Sequence, residues 1–206
     1  MRVWRRLQHT SLPPLPAWAV RTSDVSSSGL CADGRVLIRE ASRRKGLGAF
    51  ALEALKKGLE LDVYQGEVIT LGEMVTRYGG DGDSDLAFAY EAANKQAAWV
   101  EERRARGVGV TGQYLFHAGK CPRSKRTLLI DGEDPMHANW TRYINHSTKR
   151  PNLATESEMK PGEADGQTCI PRVRFIVLHD ISPGTELTFD YGDGFEISSL
   201  VEFEDD

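Results

Sequence analysis

Three short segments hold the residues whose types and spacing could do chemistry: residues 45–48, 142–147 and 188–192. In the first, Gly46 and Gly48 flank one residue just before a predicted strand. Glycine there would let the main chain approach a nucleoside-like cofactor closely, although the same pair also occurs in ordinary turns. Neither a third glycine nor a helix follows, so the pattern is not a phosphate-binding fingerprint.

The second and third segments contribute polar and aromatic side chains. Asn145 and His146 form a pair that is common in turns, and no second ligand stands at a spacing that would bind a metal. Tyr191 lies at the end of a predicted strand, where it fits a core aromatic as well as a functional tyrosine. Phe189 lies two residues earlier, so both rings point to the same strand face.

The elements around these segments include an internal repeat. Residues 50–66 align with residues 176–192, and each copy predicts a strand, a tight turn and a second strand. The matched pairs are Leu52/Leu178, Gly58/Gly184, Glu60/Glu186, Leu61/Leu187 and Gly66/Gly192, with Leu55 opposite Ile181. We therefore expect a pseudo-symmetric β core in which the early and late segments meet.

One helix is predicted between the two halves, from about Leu86 to Arg106. It has capping residues before it and arginines in its last turn. Its predicted buried stripe has apolar residues at steps of three and four: Leu86, Tyr90, Ala93, Ala97 and Val100. Residues 155–168, which are polar and contain two turn-forming pairs with glycine, predict an exposed loop.

Composition indicates a globular, water-soluble protein of about one domain. The chain has 206 residues, 40% of them hydrophobic and 27% charged, and no apolar run approaches the ~20 residues that would cross a bilayer. The net charge of −4 favours a basic partner over nucleic acid. Cys31, Cys121 and Cys169 are far apart and form no C-x-x-C pair, so we expect reduced cysteines and no zinc site.

The first 23 residues contain several arginines and no acid. Such a start is found in organelle transit peptides, but the Pro13-Pro14-Leu15-Pro16 run favours an ordinary extended arm.

Taken together, the three segments and Tyr64 with its neighbours resemble the SET-domain protein lysine methyltransferases, over roughly residues 35–195 and in the family's order. The resemblance implies a mainly β fold with an inserted helix (α+β), made of small curved sheets with a threaded C-terminal segment. It divides the chain into an N-terminal arm (1–30), a SET domain (31–197) with a helical insert at about 72–112, and an acidic tail (198–206).

The same resemblance implies a binding site for S-adenosylmethionine and no metal, with S-adenosylhomocysteine as the product. Unlike many histone-directed members, the chain has no cysteine-rich zinc tail, so an aromatic such as Phe195 would have to close over the cofactor. The cofactor residues carried over from the family pattern are Lys45, Gly46, Leu47, Gly48, Asn145, His146 and Phe195.

Tyr191 is the catalytic tyrosine that the resemblance implies. Tyr64, Phe116 and Phe189 would line the lysine channel, with Tyr114 as the alternative to Phe116. The family has tyrosine at the Phe189 position in monomethylating members, so phenylalanine implies a di- or trimethylating enzyme. Arg142 is expected to support its loop rather than to contact a ligand.

The implied activity is methyl transfer to a lysine side chain of a protein, with histone tails and chromatin as possible targets. The partner would be a basic peptide segment, and neither nucleic acid nor a membrane is expected to be bound. The enzyme would be a monomer, located in the nucleus or cytoplasm unless the N-terminal arm directs organelle import. The alternative is a catalytically silent SET-fold interaction module, which would be favoured by loss of the tyrosine or of the Asn-His pair. A nucleic-acid-binding β protein would need a basic stripe with interleaved aromatics, and the basic clusters here are short.

Overall fold

The computed structural model describes residues 30–42, 45–79, 86–162 and 168–192. These residues form eleven strands, two α-helices and a short 3₁₀ helix at Trp140–Tyr143. The strands are β1 (Leu30–Asp33), β2 (Val36–Ser42), β3 (Gly46–Ala51), β4 (Glu60–Val63), β5 (Glu67–Thr70), β6 (Leu115–Lys120), β7 (Thr127–Asp131), β8 (Asn145–His146), β9 (Leu153–Pro161), β10 (Cys169–Val177) and β11 (Thr188–Phe189). The helices are α1 (Leu71–Tyr78) and α2 (Leu86–Ala105).

Three small sheets make up the β part of the fold, with strand orders β1-β2-β3, β4-β10-β9-β11-β8 and β5-β7-β6. The main core lies between them and contains fully buried side chains such as Ile38, Phe175 and Leu187. The predicted mainly β fold with a helical insert is thus confirmed. Among the described residues, no helix is long and apolar enough to span a membrane.

The C-terminal strand β11 is threaded between two strands that are consecutive in sequence. It pairs in parallel with β8 on one side and with β9 on the other. The connection of residues 147–152 between β8 and β9 must therefore cross over β11, and Ser147 N donates to Phe189 O at 3.1 Å. This is the threaded arrangement that the resemblance implied, and it is rare among proteins in general.

The two predicted hairpins lie antiparallel beside each other, and a local two-fold relation passes between Leu55 and Ile181, which form a β-bridge. The turn glycines Gly58 and Gly184 have the same φ of +82°, a value that favours glycine. Equivalent main-chain bonds join the copies: Gly58 N to Val177 O at 2.8 Å and Gly184 N to Ala51 O at 2.7 Å. The prediction that the early and late segments meet is confirmed.

Helix α2 ends within one residue of its predicted end, but its predicted buried stripe is wrong. Ala93 and Ala97 are exposed, and Val100 is only half-buried. The side chains of Leu86 and Tyr90 lie outside the described residues. The face turned to the protein instead carries Trp99 and Arg103, the latter 1% exposed. Apolar spacing misleads here because the surface under α2 is charged rather than apolar.

That charged surface is formed by Glu67 and Asp131 at adjacent ends of β5 and β7. Glu67 accepts hydrogen bonds from Arg77 of α1, at 2.9 Å, and from Arg103 of α2. Asp131 is fully buried and accepts from Arg77 at 3.0 Å. The Trp99 ring lies below the Arg103 guanidinium, 4.9 Å away. Ion pairs therefore attach both helices to the sheet, and α1 also packs on it through Met74.

Helix α1 was not predicted, although the sequence contains its start signal. Thr70 is its N-cap and Glu73 completes a capping box, because each side chain bonds the other residue's main chain. At eight residues the helix is too short for a visible apolar period.

The predicted exposed loop at residues 155–168 is wrong over most of its described length. β9 and β10 form a long antiparallel hairpin, with Thr155 opposite Phe175 and Glu156 opposite Arg174. Polar β9 residues on the exposed face hide the strand pattern, and an ion pair of 3.0 Å between Arg174 and Glu156 stabilises the pairing. Residues 163–167 lie outside the described part of the chain.

The expectation of reduced cysteines is also wrong for two of the three. Cys121 and Cys169 form a disulfide, with their Cα atoms 5.7 Å apart. The two residues are separated by 48 positions in sequence, so spacing gave no sign of the pairing. The pairing arises because the end of β6 and the start of β10 meet in the folded chain.

Candidate active site

A cavity of about 320 Å³ opens where β6, the 3₁₀ helix and the threaded strand meet. Three of the predicted channel residues, Tyr64, Phe116 and Phe189, line it together with Tyr191. These residues come from three separate parts of the sequence. The fold thus brings the predicted channel residues and the predicted catalytic tyrosine into one space.

The aromatic rings follow one another along the cavity wall. The Phe116 ring centroid lies 5.3 Å from that of Tyr64 and 5.9 Å from that of Phe189, to which it is nearly parallel. Phe189 in turn lies 4.5 Å from Tyr191, centroid to centroid. A narrow, continuous aromatic wall of this kind fits an extended apolar chain.

Tyr64 and Tyr114 contribute differently to this wall. The Tyr64 hydroxyl donates to Tyr114 O at 2.7 Å, which fixes the orientation of the Tyr64 ring. Burial raises the pKa of Tyr64 well above its usual value, so the phenol stays neutral. Of the two candidates that the sequence left open, both Phe116 and Tyr114 line the cavity, but it is the Phe116 ring that packs against Tyr64 and Phe189.

Tyr191 is fixed by two hydrogen bonds to the β8 region. Its main-chain N–H donates to His146 Nδ1 at 3.1 Å, and its hydroxyl donates to Ile144 O at 2.9 Å. The phenol oxygen thus lies at the cavity wall with its proton directed to a carbonyl. Burial raises the pKa of Tyr191 above its usual value, with smaller contributions from Tyr114 and Glu186, so the side chain is an un-ionised phenol.

Asn145 connects the predicted cofactor segment to the threaded strand. Its Nδ2 donates to Leu47 O at 3.2 Å and to the Glu186 carboxylate at 2.7 Å. Both amide hydrogens are thereby used, and Oδ1 remains as the acceptor of the side chain. Among the described contacts none occupies Oδ1, so this atom can receive a donor from a ligand.

Gly48 is where the main chain of β3 comes closest to this group. A Cβ added at Gly48 would lie 2.9 Å from Ala41 Cβ and 3.0 Å from both Asn145 Nδ2 and Glu186 Oε1, so a larger residue would have to displace these side chains. Gly46, by contrast, has open space on its Cβ side and a φ of +69°. Lys45 and Gly46 are exposed, so the turn before β3 presents its main chain to solvent beside Asn145.

Sequence reasoning missed two residues that position this site. Glu186, noted only as part of the repeat, fixes the Asn145 amide. Asn152 bonds the threaded strand to its sheet. Its Nδ2 donates to Glu186 O at 2.7 Å, and its Oδ1 accepts from Thr188 N at 2.9 Å. The sequence did contain a signal for this role. Asn152 directly precedes β9, and an asparagine side chain can imitate a main-chain donor and acceptor.

Phe195, the predicted aromatic cover for the cofactor, lies outside the described residues. Within the described ranges, no group of three or more His, Cys, Asp or Glu side chains could bind a metal ion.

Arg142 was expected only to support its loop, and the structure also places its side chain at the cavity wall. Its Nη1 donates to Glu133 O at 3.0 Å, which does support the loop. The side chain also lines the cavity, with the guanidinium carbon 3.9 Å from the Tyr114 ring centroid. A positive charge therefore lies at the cavity wall, beside the aromatic rings.

Comparison with known proteins identifies relatives of this arrangement. The chain is 28% identical over 153 residues to the histone-lysine N-methyltransferase ASHH2 of Arabidopsis thaliana, covering 74% of this chain and 6% of that protein. It is 28% identical over 150 residues to the histone-lysine N-methyltransferase EZH2 of Chaetomium thermophilum, covering 73% of this chain and 8% of that protein. The chain thus spans less than a tenth of the length of these relatives.

A solved structure described as ctPRC2 in an autoinhibited conformation bound to S-adenosylmethionine has a similar fold. The TM-score is 0.51 and the sequence identity 26%, over 78% of this chain and 15% of that one. The sequence pattern of the SET domain matches residues 46–192, from the first predicted cofactor glycine to the residue after Tyr191. This chain therefore belongs to the SET domain family.

Proposed function

We propose that this protein transfers a methyl group from S-adenosylmethionine to the side-chain amine of a lysine in another protein. The observation that carries this proposal is the aromatic cavity that ends at Tyr191. The rings of Tyr64, Phe116 and Phe189 line it beside the neutral phenol of Tyr191, which suits the aliphatic stem and the amine of a lysine side chain.

The residues around β3 and β8 fit the cofactor. Its amino acid group needs acceptors for an ammonium, and Asn145 Oδ1 together with the exposed main chain at Gly46 could supply them. The close approach at Gly48 leaves room for main-chain contacts but for no side chain. When bound, S-adenosylmethionine supplies an electrophilic methyl group, which passes to the lysine nitrogen and leaves S-adenosylhomocysteine as the product.

The remaining task of the protein is to accept and orient a neutral amine. A free lysine has a pKa near 10.4, so keeping the amine neutral at pH 7 costs about 4 to 5 kcal/mol. An ammonium that enters the cavity loses part of its hydration, and the aromatic rings of Tyr64, Phe116 and Phe189 do not replace the lost hydrogen bonds. The wall therefore disfavours the charged form of the amine. Orientation beside Tyr191 then supplies much of the remaining rate enhancement.

A catalytically silent binding module is the second candidate, since SET folds could bind a peptide without chemistry. The intact Tyr191 and the hydrogen-bonded Asn145 favour the enzyme, because a silent module would not need an orientated phenol at the end of the cavity.

For the substrate, we propose a basic, lysine-containing peptide segment, consistent with the net charge of −4. The two named relatives are histone-lysine N-methyltransferases, so histone tails are the first substrates to test. A nuclear or cytoplasmic location and a role in chromatin would follow from such a substrate, and a monomer is sufficient for the activity.

The experiment that tests the proposal is a radiolabelled methyl-transfer assay over core histones and a whole-cell lysate, with Tyr191→Phe as the inactive control. Labelling of a protein by the wild type only would support the enzyme. Calorimetry is expected to show one S-adenosylmethionine per chain, and elemental analysis no bound zinc. Absence of cofactor binding would contradict the proposal, and cofactor or peptide binding without any transfer would favour the silent module.

A further inference from the structure

Arg142 lines the cavity, and the proposed methyl transfer does not use its charge. It is half-buried, and its Nε is buried and has no hydrogen-bond partner among the described residues. Burying a guanidinium nitrogen without a partner is costly, so a side chain kept in this state usually has a reason beyond stability. The single described bond of its head group, to Glu133 O, fixes its direction.

The Glu133 carboxylate lies near this charge but forms no ion pair with it. Glu133 bonds Arg142 through its main-chain oxygen, while its carboxylate turns away and accepts from Thr111 Oγ1 at 2.9 Å and Gly112 N at 3.1 Å. None of the ion pairs formed by described side chains includes Arg142. Burial raises the pKa of Glu133, and the attraction of the Arg142 charge acts in the opposite direction.

Other titratable groups also lie around Arg142 or line the cavity. The rings of Tyr64, Tyr114, Tyr143 and Tyr191 surround the guanidinium or the cavity, and the exposed residues His117 and Asp190 belong to the cavity lining. Asp131 and Glu186 are nearby, but their carboxylates are bonded to Arg77 and Asn145 respectively. Solvent screens an exposed carboxylate such as Asp190 more than it screens a half-buried guanidinium.

We propose that Arg142 is an electrostatic determinant of the amine's protonation state: its fixed positive charge disfavours an ammonium inside the cavity and so promotes the neutral lysine that can react. This inference rests on the proposed function. The step it assists is the loss of one proton from the lysine ammonium to solvent water: the N–H bond breaks, its electron pair stays on nitrogen, and this lone pair becomes the nucleophile.

The size of the effect follows from Coulomb's law. A unit charge several ångströms away, at the effective dielectric constant found near protein surfaces, shifts a pKa by on the order of one unit, which is tenfold in the neutral fraction. The direction is fixed by sign: removing the positive charge raises the pKa of the bound amine, and less of it is neutral at pH 7.

The first test measures binding and needs neither turnover nor a known substrate. The probe is n-butylamine, which reproduces the lysine side chain, added to the full chain saturated with S-adenosylhomocysteine. Protein labelled with 3-fluorotyrosine reports binding by fluorine NMR, and the Tyr191→Phe variant identifies the Tyr191 resonance. n-Butanol is the uncharged comparison ligand.

For the wild type, butylamine affinity should rise steeply between pH 7 and pH 9.5, while n-butanol affinity stays constant. In Arg142→Met the ratio of the butylamine affinity at pH 9.5 to that at pH 7 should fall about tenfold. Arg142→Lys should restore most of the wild-type ratio, because it keeps the charge but not the geometry. If Arg142→Met does not fold, Arg142→Gln replaces it, because glutamine keeps a hydrogen-bond donor for Glu133 O. Arg104→Met, which removes an exposed charge from α2, is the matched control.

The second test is the pH dependence of kcat at saturating substrate, for the protein labelled most strongly in the methyl-transfer assay. The acidic limb should move to higher pH by about one unit in Arg142→Met and remain in place in Arg142→Lys and Arg104→Met. An unchanged affinity ratio in both neutral variants, or no butylamine binding by the wild type, would overturn the role of Arg142. Absence of methyl transfer with a normal butylamine result would instead count against the proposed function.

Discussion

At the scale of single residues, Tyr191 gives the most direct test of the chemistry. Tyr191→Phe removes the hydroxyl that donates to Ile144 O and lies at the end of the cavity. We expect turnover to fall by orders of magnitude while the affinity for S-adenosylmethionine changes little, because the main-chain bond to His146 remains. Single-turnover methyl transfer and calorimetry measure the two quantities separately. A near-normal rate would show that Tyr191 is not the catalytic tyrosine.

Phe189 is expected to decide how many methyl groups are added. The ring is 5% exposed and packs against Phe116 and Tyr191, so it offers no hydrogen bond to a water that would block a second methyl. The wild type should therefore produce di- or trimethyl-lysine, and Phe189→Tyr should shift the product toward monomethyl-lysine without abolishing the first transfer. Mass spectrometry of a peptide time course measures this. A wild type that stops at one methyl group contradicts it.

Asn145 tests the cofactor side of the site. Asn145→Ala removes the bonds to Leu47 O and Glu186 and the free Oδ1, and it should weaken S-adenosylmethionine binding by about 1 to 3 kcal/mol. Glu186→Gln keeps an acceptor for the amide and should cost less. Calorimetry of both variants, with circular dichroism as the control for folding, gives the comparison. Equal affinity in Asn145→Ala and the wild type would exclude Asn145 from the cofactor site.

The aromatic residues Tyr64, Phe116, Phe189 and Tyr191 of the cavity could be predicted from sequence because the family pattern fixes their identities. Their supporting residues could not, since Glu186 and Asn152 act on main-chain or amide groups that are distant in sequence. Arg142 shows the same limit: its sequence context predicts a loop support, and only the folded cavity shows that its charge faces the aromatic wall.

At the scale of elements, the disulfide between β6 and β10 is expected to contribute to stability. The disulfide joins residues that are 48 positions apart and so restricts the unfolded chain, which stabilises the fold by about 2 to 4 kcal/mol. Cys169→Ser should lower the free energy of unfolding by this amount, and the wild type in reducing agent should match it. Urea unfolding with and without dithiothreitol makes the measurement, with Cys31→Ser as the control variant. Equal stability of oxidised and reduced wild type would contradict the prediction.

The elements divide into those that carry a local signal and those whose partners determine them. The two hairpins were predictable because turn glycines interrupt strand patterns, and the repeat predicted their meeting at Leu55 and Ile181. β9 was missed because its exposed face is polar, and the packed face of α2 was missed because buried Arg103 replaces the expected apolar stripe. In both cases the partner surface, and not the local sequence, selects the structure.

The repeat also shows how one element acquires two uses. Glu60 and Glu186 occupy equivalent positions in the two hairpins. Glu60 bonds Arg172 and Arg174 on an exposed sheet face, with distances of 3.4 Å, whereas Glu186 orientates Asn145 at 2.7 Å. The same backbone position therefore serves sheet pairing in one copy and the candidate site in the other.

At the scale of the whole molecule, ligand binding should stabilise the entire fold. The candidate site joins β3, β8 and the residues after β11, so a bound ligand opposes the separation of distant parts of the chain. S-adenosylhomocysteine at about 100 times its dissociation constant should add roughly 2.7 kcal/mol to the free energy of unfolding. A thermal melt should then shift upward by several degrees, and Asn145→Ala should show a smaller shift. A melt that is unaffected by the ligand would mean that the site lies elsewhere.

The overall architecture was predictable only through the family resemblance. Composition and strand patterns predict a mainly β domain, but nothing in them predicts that β11 lies between β8 and β9. Main-chain pairing with β8 and β9 holds β11 in place, and the Asn152 side chain adds bonds that imitate a neighbouring strand. General packing rules argue against it, because loops rarely enclose another segment.

Threading also has a consequence for how the protein is made. On the ribosome, β8, β9 and the connection between them emerge before the strand that must pass beneath them. At translation rates of about 5 to 20 residues per second, the nascent chain waits on the order of seconds with two unpaired strand edges exposed. During that interval the exposed strand edges could pair with other chains, and the candidate site is complete only when β11 has been made.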